Sequence, residues 1–292
     1  MVEDFFDRDF IKKLENLSLI AKRMHRGSRR GEHPSYKKGS SLEFFDYRAY
    51  QPGDDFRYID WNIWERLNKI LLKLYEAEED LTIHILVDTS KSMGFGSPSK
   101  IDYAKRVGAA LGYIGIKNFD RVGVTAFQTG ISHSLPPTGR QRTRTLFNYL
   151  ANLKADGETD FNNSLMEYSK RSKRPGLAII ISDLLDSKGY QDGLLSLLYN
   201  KFDVMLIQIL TEEEFTPGLE GETKLIDSET GKIETITIDK RIINTYRIRI
   251  RSFLDDIEKF CLKKGVEYLR ASTSVPFEDL VLKYLRQGMY LH

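Results

Sequence analysis

The chain predicts an α/β fold built on a doubly wound, mostly parallel sheet, with a small accessory element before it. Short apolar runs at 81–87, 121–127, 177–182, 203–210 and 266–270 have strand length and β-branched composition. Helical apolar spacing fills the intervals, at 99–117, 140–153, 160–172, 189–200, 240–264 and 276–287. The strands are apolar throughout rather than alternating, as expected of a sheet covered by helices on both faces.

Taken in order, residues 3–24 place Phe6, Phe10, Leu14, Leu17 and Ile20–Ala21 at helical spacing. Residues 22–41 turn polar and basic, broken by Gly27, Gly31, Pro34 and Gly39. The tract Lys22–Lys38 holds seven Lys or Arg against the single acid Glu32. It reads as a solvated linker rather than a nucleic-acid arm, because no pattern of stacking aromatics accompanies the charge. Runs at 42–50 and 69–76 predict an accessory β element around the turn chemistry of Gln51-Pro52-Gly53-Asp54-Asp55. Asp54, Asp55, Arg57, Asp60 and Trp61 are expected to brace that element through ion pairs and packing.

The helix at 99–117 carries Ile101, Ala104, Val107, Ala110–Leu111 and Ile114 on one stripe, with Ser99 as its N-cap. Residues 131–135 follow the second core strand too closely for a crossover, so an antiparallel edge strand is expected. Thr230-Gly231 separates two β-rich runs and predicts a hairpin over 223–238. The expected division is an N-terminal extension over 1–77 and the α/β domain over 78–290.

At 292 residues and 41% hydrophobic, the chain can bury a large core. A net charge of +2 does not suggest a general polyanion binder. Cys261 is alone, so no internal disulfide forms. No apolar run approaches the ~18 residues of a membrane span, and the acidic start Met-Val-Glu-Asp lacks the form of a secretory leader. A cytoplasmic protein is expected.

Function is written at the carboxyl ends of the strands, where open α/β sheets bind ligands. The first core run ends in Asp88-Thr89-Ser90-Lys91-Ser92, Gly157-Glu158-Thr159-Asp160 opens a helix, and Ser182-Asp183 ends the third run. Loops after neighbouring parallel strands converge, so Asp88, Ser90, Ser92, Thr159 and Asp183 can share one site. An oxygen-only set suits a hard cation, Mg²⁺ or Mn²⁺, rather than zinc. Neutral hydroxyls fill coordination positions without cancelling charge, so the ion stays a good Lewis acid for a partner's carboxylate.

These residues resemble the adhesion site of the von Willebrand factor A family, Asp-x-Ser-x-Ser followed by a Thr and then an Asp. The resemblance implies that Ser90, Ser92 and Thr159 bind the cation through hydroxyls, with Asp88 and Asp183 acting directly or through water. One departure stands out: the family often places glycine after the last aspartate, where this chain has Leu184. The run Arg48–Trp61, with Val266–Thr273, resembles a prokaryotic branch usually encoded beside MoxR-type AAA+ ATPases. That likeness covers roughly residues 40–290 and implies an acidic surface of such an ATPase as the partner, in assembly or chaperone-like remodelling.

Other chemistries fit less well. A haloacid-dehalogenase-like phosphotransferase needs an acid two residues after Asp88, where Ser90 stands. A Mg²⁺-dependent phosphoesterase would need a general base, for which Asp160 and Asp186 are the candidates. No G-x-x-x-x-G-K-[ST], G-x-S-x-G or H-E-x-x-H motif occurs. The five histidines lack zinc spacing, and His84 reads as a satisfied core residue. A non-enzymatic interaction module is therefore expected.

Overall fold

The computed structural model describes residues 6–28, 42–77, 81–138, 143–215, 217–218, 221–226 and 233–286. The chain forms two compact units, Gly27–Asp80 and the remainder, Met1–Arg26 with Leu81–His292.

The larger unit is organised by six strands: β3 (Thr82–Asp88), β4 (Arg121–Phe127), β5 (Ile131–Thr138), β6 (Leu177–Ser182), β7 (Asp203–Leu210) and β10 (Glu267–Ser272). Their order is β10-β7-β6-β3-β4-β5. All neighbouring pairs are parallel except β4 with β5. The expected doubly wound α/β architecture is therefore present. The edge strand β5 runs three residues past its predicted end. Pro136 and Pro137 lie in that extension, and an edge is where a strand tolerates the loss of a ladder donor.

Alternation along β3 divides the interior in two. Ile83, Ile85 and Val87 pack with α3 (Lys100–Lys117), α4 (Thr143–Ala151) and α9 (Phe277–Arg286). Leu86 faces the other way, with Ala178 and Ile180 of β6. It packs against α5 (Phe161–Arg171), α6 (Gln191–Tyr199) and the second half of α8 (Lys240–Lys264); the one-turn α7 (Glu212–Phe215) follows β7. Helix α3 lies close to the sheet because its inward positions are small: a Cβ on Gly115 would sit 2.6 Å from Ile83 Cδ1.

The first helix, α1 (Arg8–Ser28), packs into this larger unit rather than standing with the accessory element. Phe6, Phe10, Leu14, Leu17 and Ala21 join the first core cluster. The Phe6 ring lies 4.8 Å from Phe147 and the Phe10 ring 5.1 Å from Phe277. Residues 29–41, which include most of the basic tract, lie outside the described residues. The hairpin strands β8 (Gly221–Ile226) and β9 (Ile233–Ile238) pair antiparallel, and their Thr230-Gly231 turn also lies outside them.

In the smaller unit β1 (Leu42–Ala49) and β2 (Leu71–Ala77) pair antiparallel around a helix the sequence reading did not anticipate, α2 (Trp61–Leu67). Its aromatic, branched composition masks a capping signal. Asp60 accepts from Asn62 N and Ile63 N, and Asn68 closes the helix in the left-handed region at φ 50°. The acids pair locally as expected, Arg48 with Asp54 at 2.8 Å, Arg57 with Asp55 at 2.6 Å and Lys73 with Asp60 at 3.1 Å. Trp61 is 56% exposed, with its ring edge-to-face against that of Trp64 at 6.0 Å.

Candidate metal centre

Strand β3 ends in Asp88, which its central place in the sheet buries almost completely. Its Oδ1 accepts from Ser90 N at 2.9 Å, a local turn that aims the Ser90 hydroxyl back along the strand end. Its Oδ2 accepts from Ser182 Oγ at 2.6 Å, joining the ends of β3 and β6. Ser90 is fully buried, and its Oγ lies 3.0 Å from Oγ of half-buried Ser92. Burial first, and the charge of Asp183 second, push the Asp88 carboxyl well above the usual carboxylate range.

The Thr159 loop is laced to the same strand end by backbone bonds. Asp156 N donates to Thr89 O at 2.8 Å, and Lys91 N donates to Gly157 O at 3.0 Å. Gly157 takes a φ of +78°, a conformation open to glycine that turns the chain toward Thr159. Thr159 is 8% exposed, and its Oγ1 is buried without a hydrogen-bond partner among the described residues. A hydroxyl desolvated in this way costs roughly 1–3 kcal/mol, which a bound cation would offset. The five residues therefore meet the chemistry of a hard cation: three hydroxyls, one of them unpartnered, and two buried carboxylates. No group of three or more His, Cys, Asp or Glu is placed to hold a metal among the described residues, so such a site depends on its hydroxyls.

Asp183 is held from several sides. Its Oδ1 accepts from Leu185 N at 3.1 Å, and its carbonyl accepts from buried Gln208 Nε2 at 3.0 Å. Its Oδ2 accepts from Lys100 Nζ at 2.7 Å, and the same ammonium lies 2.5 Å from Glu214 Oε1. Burial works against the charge on Lys100, but Asp183 and Glu214 beside it hold its pKa above the ordinary lysine value. Lys100 and Glu214 are absent from the sequence reading. Two signals point to them: a lysine opening an otherwise apolar helix, where the macrodipole disfavours a cation, and acids directly after β7 at the sheet's functional edge. Leu184, directly after Asp183, takes a φ of +60°.

The family described as "Protein of unknown function DUF58" matches residues 46–252. The chain belongs to that family. The DUF58 match takes in every residue of the candidate centre, Lys100 and Glu214 included, and stops short of β10 and α9. An uncharacterized protein of Mycobacterium bovis is 27% identical over 242 residues, covering 81% of this chain and 76% of its own. Its counterpart in Mycobacterium tuberculosis matches to the same extent. Among solved structures, an aerotolerance-related membrane protein from Bacteroides fragilis is similar at TM-score 0.46 and 15% identity, over 71% of this chain and 99% of that one. BatB from Bacteroides thetaiotaomicron is similar at TM-score 0.45 and 13% identity, over 72% and 100%.

The remaining candidates of this DUF58 chain serve structure. Asp160 caps α5 through Asn163 N at 3.0 Å and pairs with Lys188 at 2.7 Å. Its partial burial is outweighed by those partners, which hold its carboxyl below the usual value. Asp186 accepts from Phe161 N at 2.9 Å and Lys188 N at 2.8 Å. Both acids are occupied, Asp160 by backbone and lysine donors and Asp186 by backbone donors. His84 is fully buried between Tyr168 OH at 2.8 Å and the Arg174 carbonyl at 3.0 Å. Burial pushes the Cys261 thiol up to about 12, which leaves it inert. No described helix is long and apolar enough to cross a membrane.

Proposed function

We propose that this protein is a divalent-cation-dependent interaction module whose partner completes the metal's coordination with an acidic side chain. The observation that carries the reading is the buried, unpartnered hydroxyl of Thr159, in a loop bonded to the Asp88–Ser92 turn. Charge supports it as well. Asp88 and Asp183 are two buried carboxylates with only the ammonium of Lys100, shared with Glu214, to offset them; burial and that shortage of positive charge hold the Asp88 carboxyl up, and a divalent cation would relieve the shortage.

In this reading Ser90, Ser92 and Thr159 offer their hydroxyls, and Asp88 and Asp183 supply charge directly or through water. The ion would contribute Lewis acidity toward an incoming carboxylate. The protein's own part is to hold the hydroxyls at one strand end and to keep water from competing on the buried side. The family resemblance makes a MoxR-type AAA+ ATPase the proposed partner, with the pair acting in assembly or remodelling.

The deciding experiment retrieves the native complex in Mg²⁺ and in EDTA, from wild type and from Thr159→Val. Valine keeps the shape and removes the hydroxyl, so the fold should survive; in EDTA it should be as stable as wild type or slightly more so. The partner should be retained only by wild type in Mg²⁺. Equal retention in EDTA would defeat the reading.

A further inference from the structure

Lys100 occupies the first turn of α3, where helix N–H groups carry partial positive charge and a cation is least favoured. Its side chain is nonetheless 0% exposed, among the largest fully buried side chains in the protein. A buried ammonium is tolerated only with good partners, and here there are two, Asp183 Oδ2 at 2.7 Å and Glu214 Oε1 at 2.5 Å. Glu214 is itself fixed. Its Oε2 accepts from Thr211 N at 2.8 Å, and its carbonyl accepts from Tyr246 OH of α8 at 2.6 Å. The ammonium is thus clamped between an acid of the metal centre and an acid outside it.

We propose that Lys100 and Glu214 form a charge clamp that sets the affinity of the cation site. The inference rests on the metal reading above. With Oδ2 on the ammonium and Oδ1 on Leu185 N, each oxygen of Asp183 already holds a donor, so what Asp183 could offer an ion is shared with Lys100. Lys100 therefore keeps the ion loosely held and open to a partner's carboxylate, and Glu214 keeps Lys100 from pulling Asp183 fully to itself. Both are positioning residues, since neither touches the ion.

The electrostatics give the two substitutions opposite signs. Lys100→Met removes one positive charge and releases Asp183 to coordinate directly. Glu214→Gln removes one negative charge and leaves Asp183 as the sole anionic partner of the ammonium. In a buried setting, a unit charge a few ångströms from a divalent ion changes its affinity by at least about tenfold.

The test is a Mn²⁺ titration of the full chain, reading free Mn²⁺ by electron paramagnetic resonance, with thermal unfolding in EDTA run in parallel. Lys100→Met should bind Mn²⁺ about tenfold tighter and be destabilised in EDTA, where Asp183 and Glu214 lose their cation. Glu214→Gln should bind about tenfold more weakly. If Lys100→Met will not fold without metal, Glu214→Gln decides alone, because it retains the Lys100–Asp183 pair. Both variants binding Mn²⁺ as wild type does, or both binding more weakly, would make the clamp purely structural and overturn the inference while leaving the metal reading intact. Wild type failing to bind Mn²⁺ at all would remove the metal reading and this inference with it.

Discussion

At Leu184 the backbone adopts φ +60° while the side chain is 2% exposed, so two demands compete at one residue. The left-handed region costs a residue with a Cβ roughly 1–2 kcal/mol, a cost that glycine would not carry. Leucine holds the place because its side chain fills the second core cluster and its N–H donates to Ser182 Oγ at 3.0 Å. Truncation should cost about 2–5 kcal/mol in lost packing. The order of the two smallest residues should then invert the usual one: Leu184→Gly should be about 1 kcal/mol more stable than Leu184→Ala, since glycine alone relieves the strain. Urea unfolding of the pair in EDTA checks this, and an alanine variant more stable than the glycine one would show the strain to be absent. His84 gives a pH dependence. Burial lowers its pKa to about 4, below the ordinary value of 6.5, so the folded state keeps the ring neutral. Its contribution is complete above pH 6.5 and is lost as pH falls toward 4, because the unfolded chain takes up the proton first. At pH 5 wild type should have lost about 2 kcal/mol from this source, and a His84→Gln variant should lack that part of the slope. Parallel pH profiles for the two proteins would exclude the assignment.

At the scale of elements, α2 presents an uncommon surface. Trp61 is 56% exposed, Trp64 45% and Leu67 63%, with Phe56 and Ile70 exposed nearby. Trp61 and Trp64 are the chain's two tryptophans, so fluorescence excited selectively at tryptophan, and not at the 15 tyrosines, reports this helix. The folded protein should show strong quenching by acrylamide, and shielded tryptophans would mean that something covers the face. This helix escaped the sequence reading because tryptophan and isoleucine weigh toward strand, while its identity rests on two caps, Asp60 and Asn68. The core strands were legible for the opposite reason: β6 and β7 match their predicted spans because buried parallel strands are continuous apolar runs bounded by polar turns. The meeting of segments 88–92 and 182–183 was legible too, since loops after adjacent parallel strands share an edge; segment 157–160 joins the Asp88 turn from between two helices, through backbone bonds that no spacing records. Lys100 and Glu214 were not legible, because their pairing joins residues 114 positions apart, and nothing in local spacing records an ion pair closed by tertiary packing. Leu184 was visible only as a departure from glycine; its backbone angle was not.

For the whole molecule, the cation reading makes a thermodynamic demand. An ion that binds the folded state alone stabilises it by RT ln(1 + [ion]/Kd), about 2.7 kcal/mol at a hundredfold excess over Kd. Every proposed donor lies in the larger unit, whose central strand β3 carries Asp88 between β4 and β6, so ligation there acts on the cooperative core rather than on a fraying edge. For a unit of this size each kcal/mol moves Tm by about 2–4 °C, so saturating Mg²⁺ should raise the main transition by roughly 5–10 °C over EDTA. Salt cannot mimic this at equal ionic strength, because a buried site is little screened. The Thr159→Val protein separates specific from general effects. It should unfold in EDTA at or slightly above the wild-type temperature, since a buried hydroxyl without a partner has been removed, and it should gain little from Mg²⁺. A scan of both proteins by circular dichroism, in EDTA and in Mg²⁺ at matched ionic strength, reads all four numbers. An equal rise in the valine variant would place the ion elsewhere, and no rise in wild type would mean that the buried carboxylates are balanced by protons instead.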